Sequence, residues 1–168
     1  MSAFLLMQNL YKAYFNSPVG IIEVESTEDA VVAINFVERE GEPSGNIPPV
    51  MSQCLAELYE YFAGKRKSFS VRLNPEGTVF QKKVWNELLN IPFGKTSSYL
   101  ALAKSIADEK SIRAVGGANG KNKIAILVPC HRVIGSNNEL VGYAGGKWRK
   151  QWLLEHEGAM SNNQQKLF

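Results

Sequence analysis

The densest chemistry in this chain of 168 residues lies in one stretch, Ile124-Ala125-Ile126-Leu127-Val128-Pro129-Cys130-His131-Arg132-Val133-Ile134-Gly135. An apolar, strand-like run delivers Cys130 into a turn with an imidazole and a guanidinium as sequence neighbours. Adjacent cations or a partner base favour the thiolate, the form in which cysteine is a strong nucleophile. A core cysteine gains nothing from that setting, and the rigid Pro129 argues for a nucleophile held in one place. Cys54 reads differently: it shares a helical apolar face with Met51, Leu55, Leu58, Tyr59 and Phe62, the pattern of a small buried hydrophobe. Two cysteines cannot frame a disulfide scaffold in a chain of this size, and with His131 and His156 as the only histidines a tetrahedral zinc site is not expected. Neither a metal nor a cofactor is expected.

The elements around Cys130 have to hold it in that turn. Thr78 can cap a helix whose apolar residues Phe80, Val84, Trp85, Leu88 and Leu89 keep helical spacing, with Pro92-Phe93-Gly94 as its stop. Ser98 can cap a second helix through about Ala107. Ser111 can cap a third, from Ile112 to about Asn119. Three short helices with tight turns suit a helix-turn-helix module, a plan also common in proteins that bind no DNA. Gly135 to Gly146 is turn-rich, with room for a small hairpin or wing. Lys147 to Glu157 reads as a last amphipathic helix with Trp148, Trp152 and Leu153 inward and Gly158 as its stop.

The first half is of another kind. Residues 11–15, 20–26 and 30–37 are short and β-branched or aromatic, an antiparallel meander by their spacing. A helix over 51–62 and a short strand over 69–73 follow, and Asn74-Pro75-Glu76-Gly77 is the best boundary. The expected division is therefore 1–77, 78–158 and a flexible tail, 159–168. Charge divides at the same place. Residues 1–77 carry 6 Lys/Arg against 10 Asp/Glu, and residues 78–158 carry 12 against 6, which hints at a polyanionic partner for the second part. No run of about 18 apolar residues is present, and the first residues lack a basic, cleavable leader, so a cytoplasmic protein without membrane contact is expected.

The Pro129-Cys130-His131-Arg132-Val133 block resembles the active-site signature of the O6-alkylguanine-DNA alkyltransferases, also called methylated-DNA–protein-cysteine methyltransferases. The similarity runs through Ser98-Tyr99, Arg113-Ala114-Val115-Gly116-Gly117-Ala118, Asn122, Gly142-Tyr143-Ala144-Gly145-Gly146 and Trp152-Leu153-Leu154-Glu155-His156-Glu157-Gly158. It covers residues 78–158, in order and at the family's spacing. The resemblance implies an α/β (α+β) protein with an N-terminal RNase H-like strand-rich domain and a C-terminal winged-helix-like DNA-binding domain. It further implies direct-reversal DNA repair, an irreversible, single-turnover transfer of the alkyl group of O6-alkylguanine to Cys130 after base flipping. O4-alkylthymine is a further candidate substrate.

By the same resemblance His131 takes the thiol proton through a water, Glu157 orients that imidazole, Asn122 holds the active-site turn and Tyr99 gives a proton to the departing guanine. The carbonyl of Val133, Tyr143, and backbone N–H groups near Cys130 and Ala144 would form the base pocket, with Ala125 and Val141 at wall positions. Arg113 would fill the stack vacated by the flipped base, while Ala114, Gly116, Gly117 and Ser98 lie against the minor groove of double-stranded DNA. The small residues of that helix could equally serve close internal packing. A monomer is expected. Gln164-x-x-Leu167-Phe168 resembles the short motif by which bacterial repair proteins bind a sliding clamp, with an inert tail as the plainer alternative. Two competing functions stand beside repair. A non-catalytic alkylated-base-binding protein that recruits other repair factors would not need a cysteine at 130. A cysteine hydrolase would need an oxyanion hole, for which no motif is evident.

Overall fold

The structure, a computed structural model, describes residues 9–107 and 109–160. The candidate clamp motif at Gln164, Leu167 and Phe168 lies outside them. The chain divides into two compact units, the first ending at Asn74 and the second beginning at Pro75.

In the first unit β1 (Tyr11–Ser17), β2 (Gly20–Ser26) and β3 (Val31–Val37) form an antiparallel sheet in that order. Because side chains alternate faces along a strand, the register sets Ala13, Val24 and Ile34 in one buried cross-strand row. Helix α1 (Pro49–Phe62) packs on the sheet and buries Val50, Met51, Cys54, Leu58 and Tyr61. Each large aliphatic side chain so buried contributes about 1.5–3 kcal/mol. Residues 69–73 depart from the expected strand. Their pairing among the described residues is a single parallel bridge between Val31 and Leu73. The reason is Glu57 of α1, whose carboxylate accepts from the N–H groups of Ser70 (3.0 Å) and Val71 (3.2 Å) and the Ser70 hydroxyl (2.6 Å), taking the donors a ladder would use.

In the second unit α2 (Val79–Leu88), α3 (Tyr99–Ile106) and α4 (Ile112–Gly120) pack against one another. Thr78 and Gln81 form a reciprocal capping box at the start of α2, and Ser98 accepts from the Ala101 N–H at 3.0 Å at the start of α3. Ser111 stands at the cap position of α4 but makes no side-chain cap bond, because the 3₁₀ turn Glu109–Ser111 already feeds the chain into the helix. The indole of Trp85 ties α2 to α4 by donating to the Ala118 carbonyl at 2.8 Å. Two short strands, β4 (Ser97–Ser98) and β5 (Val133–Ile134), pair in parallel. The segment from Gly135 to Gly146 folds as turns rather than a ladder, with the Gly135 N–H on the Glu139 carbonyl at 2.8 Å. Helix α5 (Lys147–His156) packs on the turn that holds Cys130. Its inward residues are Lys150, Leu153 and Leu154, while Trp148 is 54% exposed and so does not face inward as its spacing suggested.

Candidate active site

The apolar run that leads to Cys130 is buried, but it is not a strand. Val128 donates to the Ile124 carbonyl (3.0 Å) and Leu127 to that of Ala125 (2.8 Å), and Ile126 adopts φ 72°, in the left-handed region that a β-branched residue seldom enters. Asn122 holds this fold. Its amide oxygen accepts from the Ile124 N–H at 3.0 Å, and its Nδ2 donates to the Val128 carbonyl at 2.8 Å. The same Nδ2 lies 3.1 Å from Cys130 Sγ, so one side chain shapes the turn and places a donor on the sulfur.

Cys130, His131 and Arg132 form a 3₁₀ turn, and all three are buried. His131 Nε2 lies 2.8 Å from Glu157 Oε1. Arg132 grips the same carboxylate with two donors, Nε at 2.8 Å and Nη2 at 3.0 Å, and donates through Nη1 to the Ile91 carbonyl at 2.6 Å. Glu157 stands at the C-terminal cap of α5, where the helix dipole disfavours a negative charge. Burial would also raise its pKa, but the imidazole and the guanidinium outweigh both and hold it at about 2. Burial lowers the pKa of His131 against the pull of Glu157, so the ring is neutral at pH 7. With Nε2 committed to a carboxylate, the neutral tautomer carries its proton there. Nδ1 is then the free acceptor, and it is buried with no hydrogen-bond partner among the described residues.

Burial raises the Cys130 thiol above its ordinary value, and the Asn122 donor and the charge of Lys150 offset only part of that rise. The backbone N–H of Cys130 itself is engaged with the Val128 carbonyl at 2.8 Å. Beside the site lies a cavity of about 560 Å³, of a size suited to a small ligand. It is lined by Tyr99, Ile112, Gly116, Val141, Tyr143 and Ala144 among others. Burial raises the pKa of both tyrosines, and the neighbouring Cys130 raises them further; a hydrogen bond from Asn119 moderates the effect at Tyr99. Ala125 is buried.

Ser98 caps α3 next to Tyr99. Arg113, Ala114 and Gly117 are exposed on α4. A Cβ built on Gly117 would meet nothing within 4 Å, and one on Gly116 would only touch the Tyr99 ring at 3.8 Å. Internal packing therefore does not demand small residues here, which leaves an open approach along the outer face of α4.

Two family models match, described as "6-O-methylguanine DNA methyltransferase, ribonuclease-like domain" over residues 10–75 and "6-O-methylguanine DNA methyltransferase, DNA binding domain" over 79–159. The methylated-DNA–protein-cysteine methyltransferase of Methanosarcina acetivorans is 45% identical over 157 residues, covering 89% of this chain and 99% of that protein. The chain belongs to the 6-O-methylguanine DNA methyltransferase family. Among solved methyltransferases of the family, the Mycobacterium tuberculosis O6-methylguanine methyltransferase superposes with a TM-score of 0.80 at 40% identity, over 95% of this chain and 99% of that one. A structure of Mycobacterium tuberculosis OGT in complex with DNA gives 0.79 at 41%, over 87% and 91%. The residues from Ser98 to Glu157 all fall within the match to the family's DNA-binding domain.

Two site residues escaped the sequence reading and a third was given another task. Arg132 was expected as a cation beside the Cys130 thiolate, yet its guanidinium is spent on the bidentate contact that secures Glu157. Asn119, buried in α4, reaches the Cys130 carbonyl at 3.5 Å. Lys150 is fully buried, and its signal was available: it precedes Leu153 and Leu154 by three and four positions, on the apolar stripe of α5.

Proposed function

We propose that this protein repairs double-stranded DNA by moving the alkyl group of O6-alkylguanine onto Cys130, once per molecule. The observation that carries this reading is the buried Cys130 Sγ under the Asn122 donor, followed in sequence by an imidazole that Glu157 fixes at 2.8 Å. Cys130 gives its proton to Nδ1 of His131 through a water, and Glu157 keeps the ring in the tautomer that can accept it. The sulfur–carbon bond forms as the carbon–O6 bond breaks, and the electron pair leaves on guanine. Guanine takes up one proton, supplied by Tyr99, which balances the one lost by the thiol. A thioether offers no route back, so each molecule acts once and needs no cofactor.

Cys130 is 5% exposed, so a stacked base cannot reach it and must swing out of the duplex. Arg113 fills the gap it leaves, and the bare surface of Ala114, Gly116 and Gly117 lets α4 enter the minor groove, with Ser98 beside it. The cavity receives the base between Tyr99, Tyr143 and Ala144, while the Val133 carbonyl expected to read it lies outside the cavity lining and accepts from Lys150 at 2.6 Å. Such docking reads damage rather than sequence, since the minor groove carries a degenerate pattern. The protein acts as a cytoplasmic monomer.

Incubation with a duplex containing O6-methylguanine, followed by mass analysis of the peptide containing Cys130, tests the proposal. A gain of about 14 Da, one methylene, with one turnover per molecule, is the expected result for covalent transfer. Repaired DNA with unmodified Cys130, or binding without repair, overturns it; the second outcome would favour a lesion-binding relative. An O4-methylthymine duplex run in parallel defines the substrate range.

A further inference from the structure

Helix α5 opens with Lys147-Trp148-Arg149 behind Gly146, at an end where the helix dipole disfavours cations and where Gly146 supplies no side-chain cap. Arg149 is nevertheless held there. Its Nη1 donates to the carbonyl of Gly145 at 2.6 Å, and its guanidinium carbon lies 4.5 Å from the centroid of the Trp148 ring. Consecutive residues of a helix do not face each other, so the guanidinium has to fold across the indole to make both contacts. The exposed Trp148 meets the loop as well: a Cβ built on Gly146, whose φ is 91°, would lie 3.4 Å from the indole Cδ1. The backbone closes the same corner, with the Arg149 N–H on the Gly146 carbonyl at 3.1 Å and the Gly146 N–H on that of Tyr143 at 2.8 Å. Three residues of this loop, Gly142, Tyr143 and Ala144, line the cavity.

We propose that Trp148 and Arg149 form a brace for the base pocket: the indole holds the guanidinium on the Gly145 carbonyl, and that bond fixes the 142–146 loop where Tyr143 and Ala144 close on a flipped base. This rests on the alkyl-transfer reading above and deepens it, by naming what sets capture of the base. Both are positioning residues, since neither lines the cavity. An arginine and an aromatic ring suit the task. A guanidinium is planar, so it can lie against a ring face and still direct an N–H to a carbonyl, whereas an ammonium is a point charge without that fork. Gly145 is buried, and without this donor its carbonyl turns toward water and takes the loop with it. The brace also accounts for the exposure of Trp148, whose apolar spacing suggested an inward side chain. It acts on capture of the base rather than on the sulfur, whose donor comes from Asn122.

The test uses the full chain carrying Arg149→Lys, Trp148→Ala or Trp148→Phe, with three alkyl donors: an O6-methylguanine duplex, the free base O6-methylguanine, and iodoacetamide, which alkylates Cys130 without being held as a base. In Arg149→Lys and Trp148→Ala the duplex concentration that half-saturates transfer rises about tenfold and the rate constant for the free base falls by as much, while the limiting rate on duplex and the iodoacetamide rate stay within about twofold of wild type. Trp148→Phe keeps a ring face and recovers most of the loss. Amide hydrogen exchange in the peptide spanning 142–146 quickens by about tenfold in the same two variants. An unchanged half-saturation in both variants overturns the proposal. So does a loss confined to the duplex, which would make the pair a contact to the DNA itself, and so does an equal slowing with iodoacetamide, which would assign the pair to the scaffold of the thiol. If the wild type transfers no methyl group, the functional reading fails while exchange at 142–146 still judges the brace.

Discussion

Among the described residues each unit of this protein buries one cysteine and one carboxylate, and the two pairs are set among different neighbours. In the first unit Cys54 and Glu57 lie three residues apart on α1. Burial pushes the Cys54 thiol up to about 12, and the Glu57 charge pushes in the same direction. Glu57 is bonded by neutral donors, Gln53, the Ser70 hydroxyl and two backbone N–H groups, with Arg66 at 3.7 Å. Its work is to fasten a loop. In the second unit Cys130 has an amide donor on its sulfur, while Glu157 sits 27 residues away in sequence and is bound by the Arg132 guanidinium and the His131 imidazole. Residue type and burial are thus shared between the units. The sign and placement of the neighbouring charge separate an inert thiol from a usable one.

The contrast is broken most directly at sulfur. Cys130→Ser abolishes methyl transfer from an O6-methylguanine duplex, whereas Cys54→Ala leaves the rate unchanged and lowers stability by about 1 kcal/mol, measured by denaturant unfolding. The carboxylates come next. Glu157→Gln strands Arg132 beside a neutral partner and costs about 3–5 kcal/mol, together with transfer activity; Glu57→Gln costs about 1–3 kcal/mol and leaves transfer intact. A Glu57 variant that lost as much as the Glu157 variant would erase the distinction.

Acid should separate the units as well. Glu157 titrates at about 2 when folded against an ordinary 4.5, so its stabilisation is complete above pH 4.5 and lost as the pH falls toward 2. His131 is shifted down from 6.5, so the unfolded chain takes up a proton that the folded one refuses, and stability starts to fall as the pH drops through 6.5. Glu57, lowered from 4.5, keeps its full stabilisation above that value and loses it only as the pH falls below. Amide hydrogen exchange between pH 7 and 5 should loosen the second unit while sparing the first; equal loosening would contradict the assignment. The smallest effect belongs to α4. Gly117→Ala should raise stability by up to about 1 kcal/mol, since the position is open and alanine favours helix, yet weaken binding to duplex DNA in fluorescence anisotropy.

Much of this was legible from sequence because local signals and tertiary packing agree. Apolar spacing located α1 and α2, the Thr78-x-x-Gln81 pattern fits a cap, and the Pro129-Cys130-His131-Arg132 block drew attention to the turn that the structure builds. The errors have a common cause. Residues 69–73 and 124–128 look like strands by composition, but in both a polar side chain, Glu57 or Asn122, takes the backbone groups that a ladder would have used. Trp148 was assigned inward on hydrophobicity, while the inward position went to Lys150, whose ammonium finds two carbonyls that no pattern announces. The pairing of His131 with Glu157 spans 26 residues, and sequence offered it only through resemblance.

That long span also governs the order in which the site can come into being. A chain growing from its N-terminus produces Cys130, His131, Arg132 and Lys150 before Glu157. Until the last turn of α5 has emerged, the guanidinium has no counter-charge and resists burial, and the imidazole lacks the carboxylate that fixes its tautomer. A nascent chain therefore carries Cys130 beside a solvated guanidinium, and the arrangement around the sulfur is completed late, after α4 has already been synthesised.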